Sequence, residues 1–267
     1  MIINGKLIAE KIIFDLQKLP KPDKMLAAVL VGDNAQSLSF LRQKEKMAQA
    51  LGVSFHLYQL DESVSESDLI AEIKKIGDDP EIGGIIVQLP LPAHYDRDAV
   101  LSAINSEKDI DAMTPEGKKL VDALPVAVVK DILRTTDYEL RTKAVAVVGR
   151  GFLVGKPIME WLDQIKKPYK LFHSKSDILE IRDYDLVIAG VGKGGLIKPE
   201  MLKAGAGVID FGYDLIGGKI IGDFHYQSLN PLPSTLNPSF YTPTPGGTGP
   251  ILVAEIFKNF YKLNPPI

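Results

Sequence analysis

Short runs of Ile, Val and Leu alternate along this chain with longer stretches whose apolar positions recur at helical spacing. "LAAVLVG", "GGIIVQL", "AVAVVG", "DLVIAGVG" and "AGVIDFG" are almost continuously apolar, as strands covered on both faces must be. Between them, Leu38 to Leu51 and Asp68 to Ile76 follow the helical period. This rhythm predicts an α/β fold, a parallel sheet flanked by helices. The start, "MIINGKLIAEKI", reads as a strand and an amphipathic helix, and "ILVAEIFKNFYKL" near the end as a last helix.

Two interruptions suggest where the chain passes between domains. Lys108 to Ala127 is irregular, with scattered prolines and charges, and "YTPTPGGTGP", residues 241 to 250, holds three prolines and three glycines. Taken alone, the second could be an ordinary surface turn.

Composition narrows the partners. With 267 residues, 45% of them hydrophobic, the chain can bury one large core or two modest ones. A net charge of −3 gives no general attraction to nucleic acid or to an anionic membrane, so small molecules are the expected ligands. The absence of cysteine excludes disulfides and thiolate metal sites. No apolar run approaches bilayer length, and a soluble, cytoplasmic protein is expected. His56, His94 and His225 show no ligand spacing; no metal is expected.

Candidate chemistry begins at "VVGRGFLVGKP", residues 147 to 157. A strand runs into glycines at 149, 151 and 155, and "KPIMEWL" behind them is helical, with Pro157 tolerated in the first turn. A glycine turn between strand and helix lets backbone N–H groups and a helix N-terminus meet a phosphate, although simple turns can share this spacing. The next strand, "YKLF", ends in His173, Ser174, Lys175 and Ser176 rather than in the acid that suits a free ribose 2′-hydroxyl. Together with Arg150 these donors favour the additional phosphate of NADP.

A second cluster lies in the N-terminal half. Phe40 and Lys44 are four residues apart, on one helix face; Gln88 ends an apolar strand just before two prolines; and "KDIDAM" supplies Asp109 and Asp111. On base rates alone Phe40 and Lys44 would be a core ring and a solvated charge.

Taken together, these segments resemble the bifunctional methylenetetrahydrofolate dehydrogenase/cyclohydrolase family nearly from end to end. "VGDNAQSLSFLRQKEK", "VQLPLPAH", "KDID", "VVGRGFLVGKP", "HSKS" and "TPTPGGTGP" each match one of its segments. The resemblance implies two α/β domains with a cleft between them: a catalytic, folate-binding domain over 1–121, completed by a C-terminal helix over 248–267, and a Rossmann-type NADP-binding domain over 122–247. It implies Lys44 as the catalytic amine, Gln88 as its positioning partner and Asp111 as the group that holds the pterin. Folate contacts are implied at Ser37, Phe40, Gln88, Leu89, Pro90, Asp111, Pro245, Gly246 and Gly247. Nucleotide contacts are implied at Gly149, Arg150, Gly151, Val154, Gly155, Pro157, His173, Ser174, Lys175, Val191 and Gly192. The implied reactions are NADP-dependent oxidation of 5,10-methylenetetrahydrofolate and hydrolysis of the methenyl product to 10-formyltetrahydrofolate, by a homodimer.

Departures from the family pattern set further expectations. Phe40 replaces a tyrosine, keeping a ring but losing a hydroxyl near the lysine, which is expected to weaken hydrolysis. Ala112 and Gly151 stand where the family has glycine and serine, "LPVAVVKDIL" replaces a proline–cysteine segment, and "GDFHY" replaces a motif with a second aspartate. Two alternatives stay open: a diverged, non-catalytic folate or nucleotide sensor, and an NADP dehydrogenase acting on a small acid. The latter leaves "VQLPLP" unexplained.

Overall fold

A computed structural model describes residues 1–229 and 237–265; residues 230–236 and 266–267 of the expected domain ranges lie outside them. Contacts divide the chain into two compact units, one formed by Glu10–Leu124 with Val253–Ile267, the other by Met1–Ala9 with Pro125–Leu252.

The first unit is built on three parallel strands, β1 (Met25–Val31), β2 (Phe55–Leu60) and β3 (Ile82–Val87), in the order β2-β1-β3. β1 and β3 are almost wholly buried, whereas the edge strand β2 alternates towards solvent, as their continuous and alternating apolar patterns require. Asp109 extends the sheet by a parallel bridge to Ile85. The helix α1 (Gly5–Gln17) starts in the other unit and continues into this one. Between the strands lie α2 (Ala35–Ala50) and α3 (Glu66–Asp78). Asn34 caps α2 by accepting from the Gln36 and Ser37 amides, and Ser65 caps α3 by accepting from Asp68. After β3 come the short α4 (Arg97–Ser102) and α5 (Gly117–Leu120).

Five parallel strands form the sheet of the second unit: β4 (Val145–Val148), β5 (Tyr169–Phe172), β6 (Leu186–Ala189), β7 (Gly207–Asp210) and β10 (Phe240–Tyr241). Their order is β10-β7-β6-β4-β5. The chain leaves β4 for β5 on one side and returns to β6 on the other, so a topological switch point lies at β4. The helix α6 (Leu124–Thr135) precedes β4, and α7 (Gly155–Gln164) joins β4 to β5. A hairpin of β8 (Asp214–Ile216) and β9 (Lys219–Ile221) turns at Gly217 and Gly218, both at positive φ, the backbone a two-residue hairpin turn demands.

Two details differ from the sequence pattern. The N-terminal strand is reduced to a bridge between Ile2 and Tyr241, with Ile3 N–H donating to Tyr241 O at 2.8 Å and Tyr241 N–H to Met1 O at 3.0 Å. Its pairing partner is remote in sequence, which is why Met1–Ala9 group with the second unit. At the other end, α8 (Thr248–Leu263) begins before the apolar pattern "ILVAEIFKNFYKL", because Pro250 fits a first helical turn, where no N–H is needed. The division between the units therefore falls inside α8, at Leu252 and Val253.

Candidate functional site

In the first unit the polar side chains gather at the carboxyl ends of the strands, where open parallel sheets present ligand groups. Gln88 directly follows β3, and its N–H donates to Val29 O on β1 at 2.9 Å. This pins the backbone and leaves a side chain only 7% exposed. Its amide is fully ordered by neighbours: Lys44 Nζ, from α2, donates to Gln88 Oε1 at 3.0 Å, and Gln88 Nε2 donates to Leu89 O at 2.6 Å. The Leu89–Pro90 peptide is cis.

Asp111 reaches the same region from the turn that follows Ser106–Lys108. That turn is organised by the fully buried Asp109, which accepts from Met113 N–H, Thr114 N–H and Thr114 Oγ1 at 3.0, 2.7 and 2.7 Å. From α8, Asn259 Nδ2 donates to Ile110 O and Asp122 O, at 2.9 and 3.0 Å, and ties both flanks of the turn down. The Asp111 side chain is buried, yet its Oδ1 has no hydrogen-bond partner among the described residues. Buried acceptors are almost always satisfied, so this oxygen is one a ligand donor can complete.

The charges here tune one another. Burial pushes the Lys44 amine below its ordinary range, opposed by the negative charge of Asp111. Burial also raises Asp111 to about 6, with Lys44 pulling it down and Asp109 pushing it further up. A lysine readier to release its proton thus lies near a carboxyl readier to keep one, the pairing of perturbed groups from which acid–base sites are made.

Of the other expected folate contacts, Ser37 is buried in the first turns of α2, and Phe40 and Leu89 are half-buried. Pro245 and Gly246 are exposed and Gly247 is buried, on the loop before α8. Gly5 N–H donates to Gly246 O at 3.0 Å, so the N-terminal segment braces that loop.

The second unit carries a different kind of site. Val148 is in register with Phe172 and with Ala189, so the turns beginning at Gly149, His173 and Gly190 leave one edge of the sheet side by side. Gly149 has φ +96°, and a Cβ on Gly155 would collide with the Gly149 carbonyl oxygen. Only glycine lets the turn fold back so closely on the start of α7. That helix starts after Val154 without a side-chain cap; Lys156 N–H donates to Gly151 O at 3.0 Å and Pro157 has no N–H, which leaves the Gly155 N–H and the positive end of the helix for an anion. Pro157 is buried in the first turn, while Arg150, Gly151, His173, Ser174, Lys175, Val191 and Gly192 are exposed along the same edge. Lys175 N–H donates to His173 Nδ1 at 3.2 Å.

A family model for the catalytic domain of tetrahydrofolate dehydrogenase/cyclohydrolase matches residues 3–111, and one for its NAD(P)-binding domain matches residues 123–265. The chain belongs to this family. "Bifunctional protein FolD" of Bacillus subtilis (strain 168) is 34% identical over 278 residues, spanning 98% of this chain and 96% of its own. The crystal structure of the bifunctional enzyme FolD, methylenetetrahydrofolate dehydrogenase/cyclohydrolase, from Campylobacter jejuni has a TM-score of 0.91 at 29% identity, covering 99% of this chain and 98% of that one. The Trypanosoma brucei dehydrogenase-cyclohydrolase, complexed with NADP cofactor and inhibitor, has a TM-score of 0.88 at 27% identity, covering 98% and 96%.

The α/β fold read from the sequence is the one observed. The sequence pattern assigns no role to Asp109, Asn259, Gly5, Asp210 or Asp223. For Asp210 and Asp223 a signal was present: "DFG" and "GDF" each follow an apolar segment with an acid within two positions of a glycine.

Proposed function

We propose that this enzyme oxidises 5,10-methylenetetrahydrofolate with NADP and hydrolyses the resulting methenyl compound to 10-formyltetrahydrofolate, with Lys44, Gln88 and Asp111 at the folate site. One observation carries the assignment: a lysine ammonium held by a neutral amide in a buried region that also contains a carboxylate oxygen with no partner among the described residues. A solvated surface lysine has no need of such surroundings, and a module that only binds has no need of an amine shifted towards its neutral form.

NADP, when bound, supplies the hydride acceptor for the oxidation. Its diphosphate suits the uncapped start of α7 behind Gly149, Gly151 and Gly155, and its additional phosphate suits Arg150, Ser174 and Lys175, which bring cations and a hydroxyl but no acid. NADP in the trypanosomal relative supports the choice. Asp111 accepts hydrogen bonds from the donor-rich edge of the pterin. Water adds to the cationic methenyl carbon, a C–N bond then breaks to leave the N10-formyl group, and one proton is released. Lys44 moves protons among water, nitrogen and the new carbonyl oxygen, while Gln88 aims its amine without adding charge. Phe40 supplies a ring against the aminobenzoyl group.

Among the described residues no helix is long and apolar enough to cross a membrane. We place the enzyme in the cytoplasm as a homodimer; exposed Leu215, Ile216 and Ile220 on the β8–β9 hairpin are suited to a subunit contact.

The test combines two assays. Mixing enzyme, NADP and methylenetetrahydrofolate is expected to raise absorbance at the reduced-nicotinamide band. Lys44→Ala is expected to lower hydrolysis of the methenyl compound by about 10²- to 10⁴-fold while NADP binding persists. Unchanged hydrolysis in that variant would remove Lys44 from the mechanism.

A further inference from the structure

Two carboxylates in the nucleotide unit, Asp210 and Asp223, are completely buried. Asp210 ends β7 and begins "DFG"; Asp223 lies in "GDF" just past the β8–β9 hairpin. The two segments interlock. A Cβ on Gly222 would occupy the place of the Asp210 carboxylate, and a Cβ on Gly212 would occupy the place of the Asp223 carboxylate. Each glycine thus makes room for the acid of the opposite segment.

Their hydrogen bonds run in one direction. Asp210 Oδ1 accepts from Gly212 N–H at 2.7 Å and from Asp223 N–H at 3.2 Å, and Oδ2 accepts from Phe224 N–H at 2.9 Å. The backbone that carries Asp223 is thereby fixed. Asp223 in turn accepts from Val191 N–H through Oδ2 at 2.6 Å and from Lys193 N–H through Oδ1 at 2.7 Å. Beyond that turn, Gly195 N–H donates to Gly222 O and Ile197 N–H to Asp223 O, at 2.9 and 2.8 Å. Gly192, between the two held amides, has φ +76°.

Burying two carboxylates in one core is costly; burial raises Asp210 to about 7 and raises Asp223 as well. A core needed only for stability is better served by apolar side chains. What these acids do instead is fix the backbone of an exposed turn at the edge of the sheet.

We propose that Asp223 is a positioning residue of the dehydrogenase reaction: its carboxylate shapes the Val191–Lys193 turn that receives the nucleotide, and Asp210 locks Asp223 in place. This rests on the reading of Val191 and Gly192 as nucleotide contacts. An asparagine at 223 keeps one acceptor and turns an N–H group towards a backbone donor, so the turn is released from one end.

Asp223→Asn in the full chain is expected to raise the KM for NADP about 10- to 100-fold, as loss of a charged hydrogen bond does. The kcat of the dehydrogenase should change much less, and hydrolysis of the methenyl compound without nucleotide should be retained. Gly192→Ala tests the underlying reading separately. If neither variant changes the KM for NADP, the turn is not a nucleotide contact and the proposal falls with that reading. If Gly192→Ala raises it and Asp223→Asn does not, the role of Asp223 alone is overturned. Should Asp223→Asn fail to fold, hydrogen exchange in the unmodified enzyme decides: protected Val191 and Lys193 amides support the carboxylate clamp, and freely exchanging ones overturn it.

Discussion

The folate unit and the nucleotide unit solve ligand recognition by opposite means. In the first, the proposed function resides in buried side-chain atoms: Lys44 on Gln88, and Asp111 with an oxygen left for a ligand. In the second it resides in backbone and in absent side chains, with Gly149, Gly155 and Gly192 shaping turns along a sheet edge. The difference teaches where each is vulnerable. Removing atoms should damage the first site and adding them should damage the second.

The largest effect that can break this contrast is Gly155→Ala. The new methyl meets the Gly149 carbonyl, which is backbone and cannot rotate away. Overpacking of this kind costs about 1–3 kcal/mol, and the glycine turn must open to relieve it. NADP affinity should fall sharply while hydrolysis without nucleotide persists. Titration of NADP by intrinsic fluorescence checks the first half, and affinity equal to that of the parent enzyme would show that the turn does not hold the diphosphate.

A second effect is expected at the folate site, where burial shifts a carboxyl assigned to the ligand. Asp111 is raised to about 6 by burial, with Lys44 and Asp109 the charges acting on it. Below that pH the carboxyl is protonated and offers a poorer acceptor to the pterin, so the KM for folate should rise, approaching about tenfold per pH unit. The stability term runs the other way. A carboxyl that holds its proton more tightly when folded contributes stability below pH about 4, the unfolded value, and that contribution is lost as pH rises through about 6. Asp111→Asn should flatten the KM limb, and a limb that survives it would have to be reassigned.

How much of this was legible follows from the range of each interaction. The apolar runs predicted β1, β3, β4, β6 and β7, because full burial leaves a local signature in composition. Lys44, Gln88 and Asp111 were legible through a family resemblance that carries each motif with its neighbours. The supporting groups were not. Asn259 acts on a carbonyl 149 positions away, and Asp109, Asp210 and Asp223 all bond to backbone amides, which present no partner residue to a reader of side chains. The strand expected at the start is present only as a bridge, and its partner Tyr241 was not legible because that pairing runs through backbone groups far apart in sequence.

Phe40→Tyr sharpens the contrast by adding an atom on the side of the molecule where atoms should help. A hydroxyl four residues before Lys44 restores a hydrogen-bonding group near the amine, and a net hydrogen bond of about 0.5–1.5 kcal/mol corresponds to about a two- to tenfold gain. Hydrolysis should rise relative to hydride transfer, and an unchanged ratio would remove Phe40 from any account of the balance between the two activities.

The smallest effect comes from a position where the two strategies meet. Ala112 has φ +51° in the turn that presents Asp111, where the family pattern has glycine. A non-glycine residue in that region costs about 1–2 kcal/mol. Replacing it with glycine relieves that strain, while the greater freedom of the unfolded chain offsets about 0.5–1 kcal/mol of the gain. It also removes a buried methyl worth about 0.8 kcal/mol, since Ala112 is only 2% exposed. The terms nearly cancel, and Ala112→Gly should change stability by less than about 1 kcal/mol on the same magnitudes. The KM for folate should hold as well, because Asp109 accepts from the Met113 and Thr114 amides and Ala112 N–H donates to Asp109 O at 3.1 Å. If the KM rises in a protein of unchanged thermal stability, the methyl itself touches the substrate, and this stretch of backbone belongs with the residues that recognise folate rather than with those that hold them.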